Sequence, residues 1–233
     1  MLSRRLRRAA FKGAGAIELV GLASGAKSGS TSHSIPLTGL SGGLDSSSSP
    51  DDVVFVVVST LHSGQTTFST GTSPFSLKDS VFSDDSNDAN LGLFYGVMGS
   101  SPNTSISVTL NASKELYYVV YSFRGVDNST PFDVKEKTAS GIDSAVANAP
   151  SVSPINDGCV ILALGAAASP TSATATAPSG MTNFVTAGNS YSHVMAAMLF
   201  QESAAPYNPP AFGGLPTDNF SAWAAMTCAI RLG

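Results

Sequence analysis

Charge is what this 233-residue chain has least of: Asp, Glu, Lys and Arg together make up 12%, about half the usual share. That scarcity argues against helical bundles, which draw on Glu, Lys and Leu. Cysteine is sparse too, with only Cys159 and Cys228, too few for a disulfide scaffold. Each falls in an expected strand and reads as a buried free thiol, with a single cross-strand bridge as the alternative. No apolar run approaches the roughly eighteen residues of a membrane span. The dense Val53–Val58 run is strand-sized, and no membrane insertion is expected. Three histidines occur, His33, His62 and His193, none with a partner at metal-binding helical spacing. His193 alternates opposite an apolar set and is expected at the surface.

What fills the gap is Gly, Ser, Thr, Ala and Asn beside a 42% hydrophobic share. A sizeable core is therefore available, under a surface of small polar residues and turns. The length suits one β-sandwich. Dense β-branched or alternating stretches recur between turn-rich segments: "AIELVGLA" (16–23), "HSIPLTGL" (33–40), "VVFVVVSTL" (53–61), "FSLKDSVF" (75–82), "LGLFYGVM" (91–98), "SISVTL" (105–110), "ELYYVVYSF" (115–123), "CVILALGA" (159–166), "YSHVMAAMLF" (191–200) and "AWAAMTCAIRL" (222–232). This spacing predicts ten or eleven strands and an all-β fold, a two-sheet jelly-roll-like sandwich over residues 16–233. "SGAKSGSTS" (24–32), 142–158, 168–180 and 203–219 read as loops. The expected core comprises Val54, Val56, Val58, Ile106, Val108, Leu110, Val119, Tyr121, Ile161, Met198 and Ile230.

The basic residues are unevenly placed. "MLSRRLRRAAFKG" holds Arg4, Arg5, Arg7, Arg8 and Lys12, leaving seven basic residues against all sixteen acidic ones in the remainder. The acidic body argues against a nucleic-acid partner, since only the leader can neutralise phosphates. An export signal needs an uninterrupted apolar stretch, which Glu18 and several glycines break. Residues 1–15 are instead expected to form an N-terminal anchor segment. In it Arg4, Arg5, Arg7, Arg8 and Lys12 pair with carboxylates, while Leu2, Leu6 and Phe11 add apolar contacts.

Signals for chemistry are few. There is no G-x-S-x-G elbow, P-loop or dinucleotide fingerprint, so neither an enzyme nor a cofactor is expected. "SDDSNDAN" (83–90) offers oxygens to a hard cation but lacks EF-hand spacing and its closing Glu. It reads as a solvated turn. Tyr191, Tyr207, Phe212 and Trp223 lie in or near the last loops and are candidate glycan or subunit contacts. Their alternative role is packing on the body itself. In "YSFRGVDNSTPFD" (121–133), Arg124 leaves an apolar strand and is expected to pair with Asp127 or Asp133.

Four strings, "DDVVFVVVST", "YYVVYSFRGVDNSTPFD", "NDGCVILALG" and "WAAMTCAIRL", resemble a loose group of phage and prophage β-sandwich proteins. The resemblance spans residues 50–232. The chain departs from the pattern at "TSPF" (72–75), where a Pro-Ala-Gly-Trp segment is usual. The likeness implies a structural virion protein, assembled in the host cytoplasm: a head decoration or spike, or a tail-fibre or baseplate component. Its partners would be other virion proteins and copies of itself, with a homotrimer favoured. The alternative it leaves open is a carbohydrate-binding module that attaches to a cell-surface glycan.

Overall fold

A computed structural model describes residues 15–60, 64–142, 144–169, 174–217 and 221–233. The anchor residues Leu2, Arg4, Arg5, Leu6, Arg7, Arg8, Phe11 and Lys12 lie outside the described residues, as does His62. Eleven strands and no helix occur among the described residues. They are β1 (Glu18–Pro36), β2 (Val53–Thr60), β3 (Phe68–Thr70), β4 (Ser76–Ser83), β5 (Ala89–Val97), β6 (Ser105–Arg124), β7 (Lys137–Ile142), β8 (Cys159–Ala168), β9 (Thr182–Gly188), β10 (Ser192–Gln201) and β11 (Ala222–Ile230).

The strands form two antiparallel sheets, β1-β6-β2-β5-β4 with β3 also on β6, and β7-β11-β8-β10-β9. The expected all-β sandwich is the fold of this chain. Each sheet is built from one contiguous half of the sequence, and residues 125–136 carry the chain across. The resemblance to a jelly roll therefore lies in the two packed antiparallel layers, not in the path, which does not alternate between them.

Alternation within the strands explains why so many read as dense apolar runs. Successive side chains point to opposite faces. Val53, Phe55 and Val57 enter the core between the sheets, while Val54, Val56 and Val58 face outward. Outward does not mean exposed here. Leu37, Leu40, Phe68 and Phe75 cover that face of the first sheet. Residues 145–149, Ala175, Met181, Phe212 and Leu215 cover the outer face of the second. The central strands of both outer faces are thus covered by the chain's own connections, while the edge strands β4, β7 and β9 stay largely exposed, and all eleven expected core residues are buried.

Small residues let these covers sit close. A Cβ on Gly165 would lie 3.1 Å from Phe212 Cε2 and 3.1 Å from Ala147 Cβ. Phe75 rests in the same way on Gly96, and Trp223 on its cross-strand neighbour Gly141. An aromatic ring over a strand glycine covers backbone that has no side chain of its own.

Two expectations about strand limits are corrected. "SGAKSGSTS" is not a loop: residues 24–32 continue β1, whose register with β6 shifts between Lys27 and Ser32. "SISVTL" and "ELYYVVYSF" likewise join into one strand, β6. Backbone pairing between two long partners holds this stretch, so it needs no apolar side chains.

Hydrogen bonds fix the layers to each other. Tyr121 Oη donates to Asn183 O at 2.6 Å, through the core. On one open side Ser24 Oγ donates to Thr186 O at 3.1 Å, and on the other Ser83 Oγ donates to Gly141 O at 2.9 Å. Lys78 and Glu136 add an ion pair at 2.9 Å, with the Lys78 ammonium also over the Phe132 ring.

Candidate functional site

The sandwich has two poles. At one, Glu18 pairs with Arg124, and Ile230 lies beside Val160. At the other, Ala222, Ala168 and Ser192 lie side by side. Nine residues of β11 separate the two, about 25–30 Å at strand rise.

Ion pairs concentrate at the Arg124 pole. Arg124 Nε meets Asp52 Oδ1 at 2.9 Å and its Nη2 meets Asp52 Oδ2 at 3.1 Å. Asp45 stands 3.7 Å away. The expected partners Asp127 and Asp133 are otherwise engaged. Asp127 accepts the Ser129 and Thr130 amides and pairs with Arg231. Backbone bonds from Thr130 and then Ser129 hold its carboxyl below the usual range. Asp133 accepts the Ile155 and Asn156 amides and the Asn156 side chain. The partner of Arg124 is 72 residues away in sequence, so local reading chose the wrong carboxylates. Every group here has a structural task.

The acidic stretch is also structural. Asp88 accepts the Gly64 and Asp85 amides, and Asn90 Oδ1 accepts the Thr66 amide at 2.7 Å. Asp88 and Asn90 are buried rather than solvated. Among the described residues no three His, Cys, Asp or Glu side chains gather to hold a metal. Cys159 and Cys228 are free and buried. Burial, then the nearby Asp133 charge, pushes the Cys159 thiol up to about 11; burial raises Cys228 further.

The aromatic candidates divide. Phe212 is fully buried in the cover of the second sheet and is not available to a glycan or a neighbour. Tyr207 and Trp223 are partly buried against that cover. Only Tyr191 is substantially exposed, at 47%, and it sits at the second pole, on the β9–β10 turn.

That turn is tightly built. Asn189 Oδ1 accepts the Tyr191 and Ser192 amides at 2.7 and 2.9 Å. Its side chain also reaches Tyr117, whose hydroxyl donates to Glu115 at 2.6 Å. Burial, reinforced by Glu115, holds the Tyr117 hydroxyl protonated. A Cβ on Gly188 would collide with the Ser192 carbonyl oxygen, so glycine permits the close return.

Beside the turn lies a shallow depression lined by Thr174, Thr186, Gly188, Asn189, Ser190 and His193. His193 is not the surface residue that alternation suggests; it is 7% exposed. The connection through Thr174 and Ala175 covers the strand face on which it stands. Its Nε2 has no hydrogen-bond partner, and burial pulls the imidazole below its usual range. No feature of the local sequence announces this covering. No protein-family model, curated protein or solved structure matches the chain.

Proposed function

We propose that this chain is a structural component of a tailed-phage or phage-like particle, docked through its N-terminal segment at one pole and presenting the other. The observation that carries the reading is this polarity. Residues 15–17 enter β1 beside Gly125 and Gly233 at the Arg124 pole, so the basic segment is tethered there. The half-exposed Tyr191 lies at the opposite end of the strands.

Two further points support it. The four strings that resemble phage β-sandwich proteins supply β2, β6 with the crossover, β8 and β11, strands of both sheets. The resemblance is thus one of fold framework, and no catalytic group enters it. The central strands of both outer faces are covered by the chain itself, which suits a rigid displayed body.

Copies are expected to assemble as a homotrimer, because symmetric homo-oligomers are the common solution and the likeness favours three. Protein quantification of purified particles, with the solution mass of the purified protein, tests the reading. A fixed copy number per particle and three times the chain mass are expected. Absence from particles would overturn it.

A further inference from the structure

His193 stands on the outer face of the second sheet, in a row with Trp223, Ala167 and Gly188. A Cβ on Gly188 would lie 2.9 Å from its ring Nδ1. Glycine therefore lets the imidazole pack against the edge strand β9. Thr174 and Ala175 approach the same corner, and the residue is buried. Its Nε2 is shielded from water and has no hydrogen-bond partner. A buried polar atom in that state needs an explanation.

What faces the ring decides how it responds to a proton. Its β8 neighbour is Ala167, and β9 offers Thr186 and Gly188. The turn offers Asn189 and Ser190. None of these groups ionises. The ionisable groups at this end are Tyr191 on the turn and, on β6, Tyr117 and Glu115. Asn189 reaches Tyr117, whose hydroxyl already donates to Glu115. An imidazolium formed at His193 would thus be buried without a counter-charge, an arrangement that folded proteins avoid. Taking up the proton works against the closed corner. Burial pulls the imidazole below its usual range for the same reason.

The surrounding structure indicates which part yields. β9 is the last strand of its sheet and pairs with β10 alone. One end is tied through the core, where Tyr121 donates to Asn183 O. The His193 end is held from the other sheet at the surface, by the Ser24 hydroxyl on Thr186 O and by Asn189 against Tyr117. Edge elements with such contacts open locally at less than the global unfolding free energy.

We propose that His193 is an acid-sensitive latch: its protonation releases the corner formed by residues 186–193 while both sheets stay folded. The latch belongs to the body and does not rest on docking to a particle. In the open corner the imidazole titrates near its ordinary value of about 6.5, so opening takes up one proton below that pH. The opening equilibrium rises as pH falls, by at most about tenfold per pH unit, until the closed form itself is protonated.

The test is amide hydrogen exchange of the full-length protein at about pH 7.5 and about pH 5.5, corrected for intrinsic exchange, beside a titration of the His193 ring resonances. Amides at 186–193 should exchange several-fold faster at the lower pH, up to about tenfold. Those of β2 and β6 should keep their rates. His193→Gln cannot take up the proton and should exchange equally at both pH values. Equal corrected rates in the wild type would overturn the proposal. So would an acceleration that persists in His193→Gln, or one shared equally by β2 and β6, which is global unfolding. If the variant does not fold, the ring titration decides. Protonation and faster exchange over the same pH range support the latch, and protonation without faster exchange at 186–193 overturns it.

Discussion

Tyr121 and Asn183, 62 residues apart, are joined through the core by a hydrogen bond of 2.6 Å. The bond depends on an irregularity. The β9–β10 register shifts between Ala196 and Met198, and Asn183 takes a left-handed φ of 50°. A bulge of this kind takes backbone groups out of the ladder. Here the phenol from the opposite sheet meets the displaced carbonyl, so a local defect becomes a tie between layers. Tyr121→Phe removes a donor that also lies 3.1 Å from the buried Ala196 O, so both carbonyls lose it. Stability should fall by about 1–3 kcal/mol in chemical denaturation.

The core makes a second prediction. Ile106 and Ile230 are fully buried, one in the outer cover and one between the sheets. Truncating either to Ala should cost about 2–5 kcal/mol. Gly165→Leu should also destabilise, by about 1–3 kcal/mol, because Phe212 and Ala147 leave no room for a side chain. Equal unfolding midpoints for Gly165→Leu and wild type would mean the cover does not rest on β8.

Arg124→Ala would leave the Asp52 carboxylate, whose side chain is fully buried, without its guanidinium partner. Removing one member of a fully buried pair costs several kcal/mol. Arg124 is 40% exposed, so water screens part of the loss and about 1–3 kcal/mol is expected. Asp45→Ala, at an exposed and more distant carboxylate, should cost under about 1 kcal/mol. Similar losses for both variants would contradict the assignment of Asp52 as the principal partner.

Two groups set the direction of acid sensitivity. The His193 imidazole titrates lower in the folded state because it is buried. Below its ordinary range, near pH 6.5, the unfolded chain binds the proton first, so stability falls as pH drops. Asp127 is also lowered, by its backbone bonds. Its contribution is present above the ordinary carboxylate range and is lost as pH falls through its folded value. Unfolding midpoints should therefore be flat between about pH 7 and 8, decline from about pH 6.5 downward and decline again below about pH 4; above about pH 8.5 they should fall as well, because the raised thiols ionise first in the unfolded chain. His193→Gln should remove the first decline and leave the second.

Both thiols should be unreactive towards iodoacetamide in the native protein, because burial disfavours the thiolate. Denaturation should expose both to labelling. An intact mass two daltons low, with no labelling in denaturant, would show a disulfide instead.

Strand positions were legible where side chains carry the signal. Val53–Val58 and Ile106–Leu110 announce themselves by β-branched density and alternation, and both are strands. Residues 24–32 escaped because backbone pairing with β6 holds them, and Ser, Gly and Thr give no periodic pattern. Long-range choices were also hidden. Nothing around Arg124 points to Asp52, and nothing around His193 reveals the segment at 174–175 that covers it. For the same reason Phe212 reads as an exposed aromatic in a Pro/Gly-rich loop, although that loop folds back as the lid of the second sheet.

The proposed function rests on polarity, with the N-terminal segment joining the body at the Arg124 pole and the opposite end presented. Deleting residues 2–12 and measuring occupancy on purified particles tests it most directly. The truncated protein should keep the unfolding midpoint of the full-length body and be lost from particles. Normal occupancy of a folded truncated protein would contradict the claim.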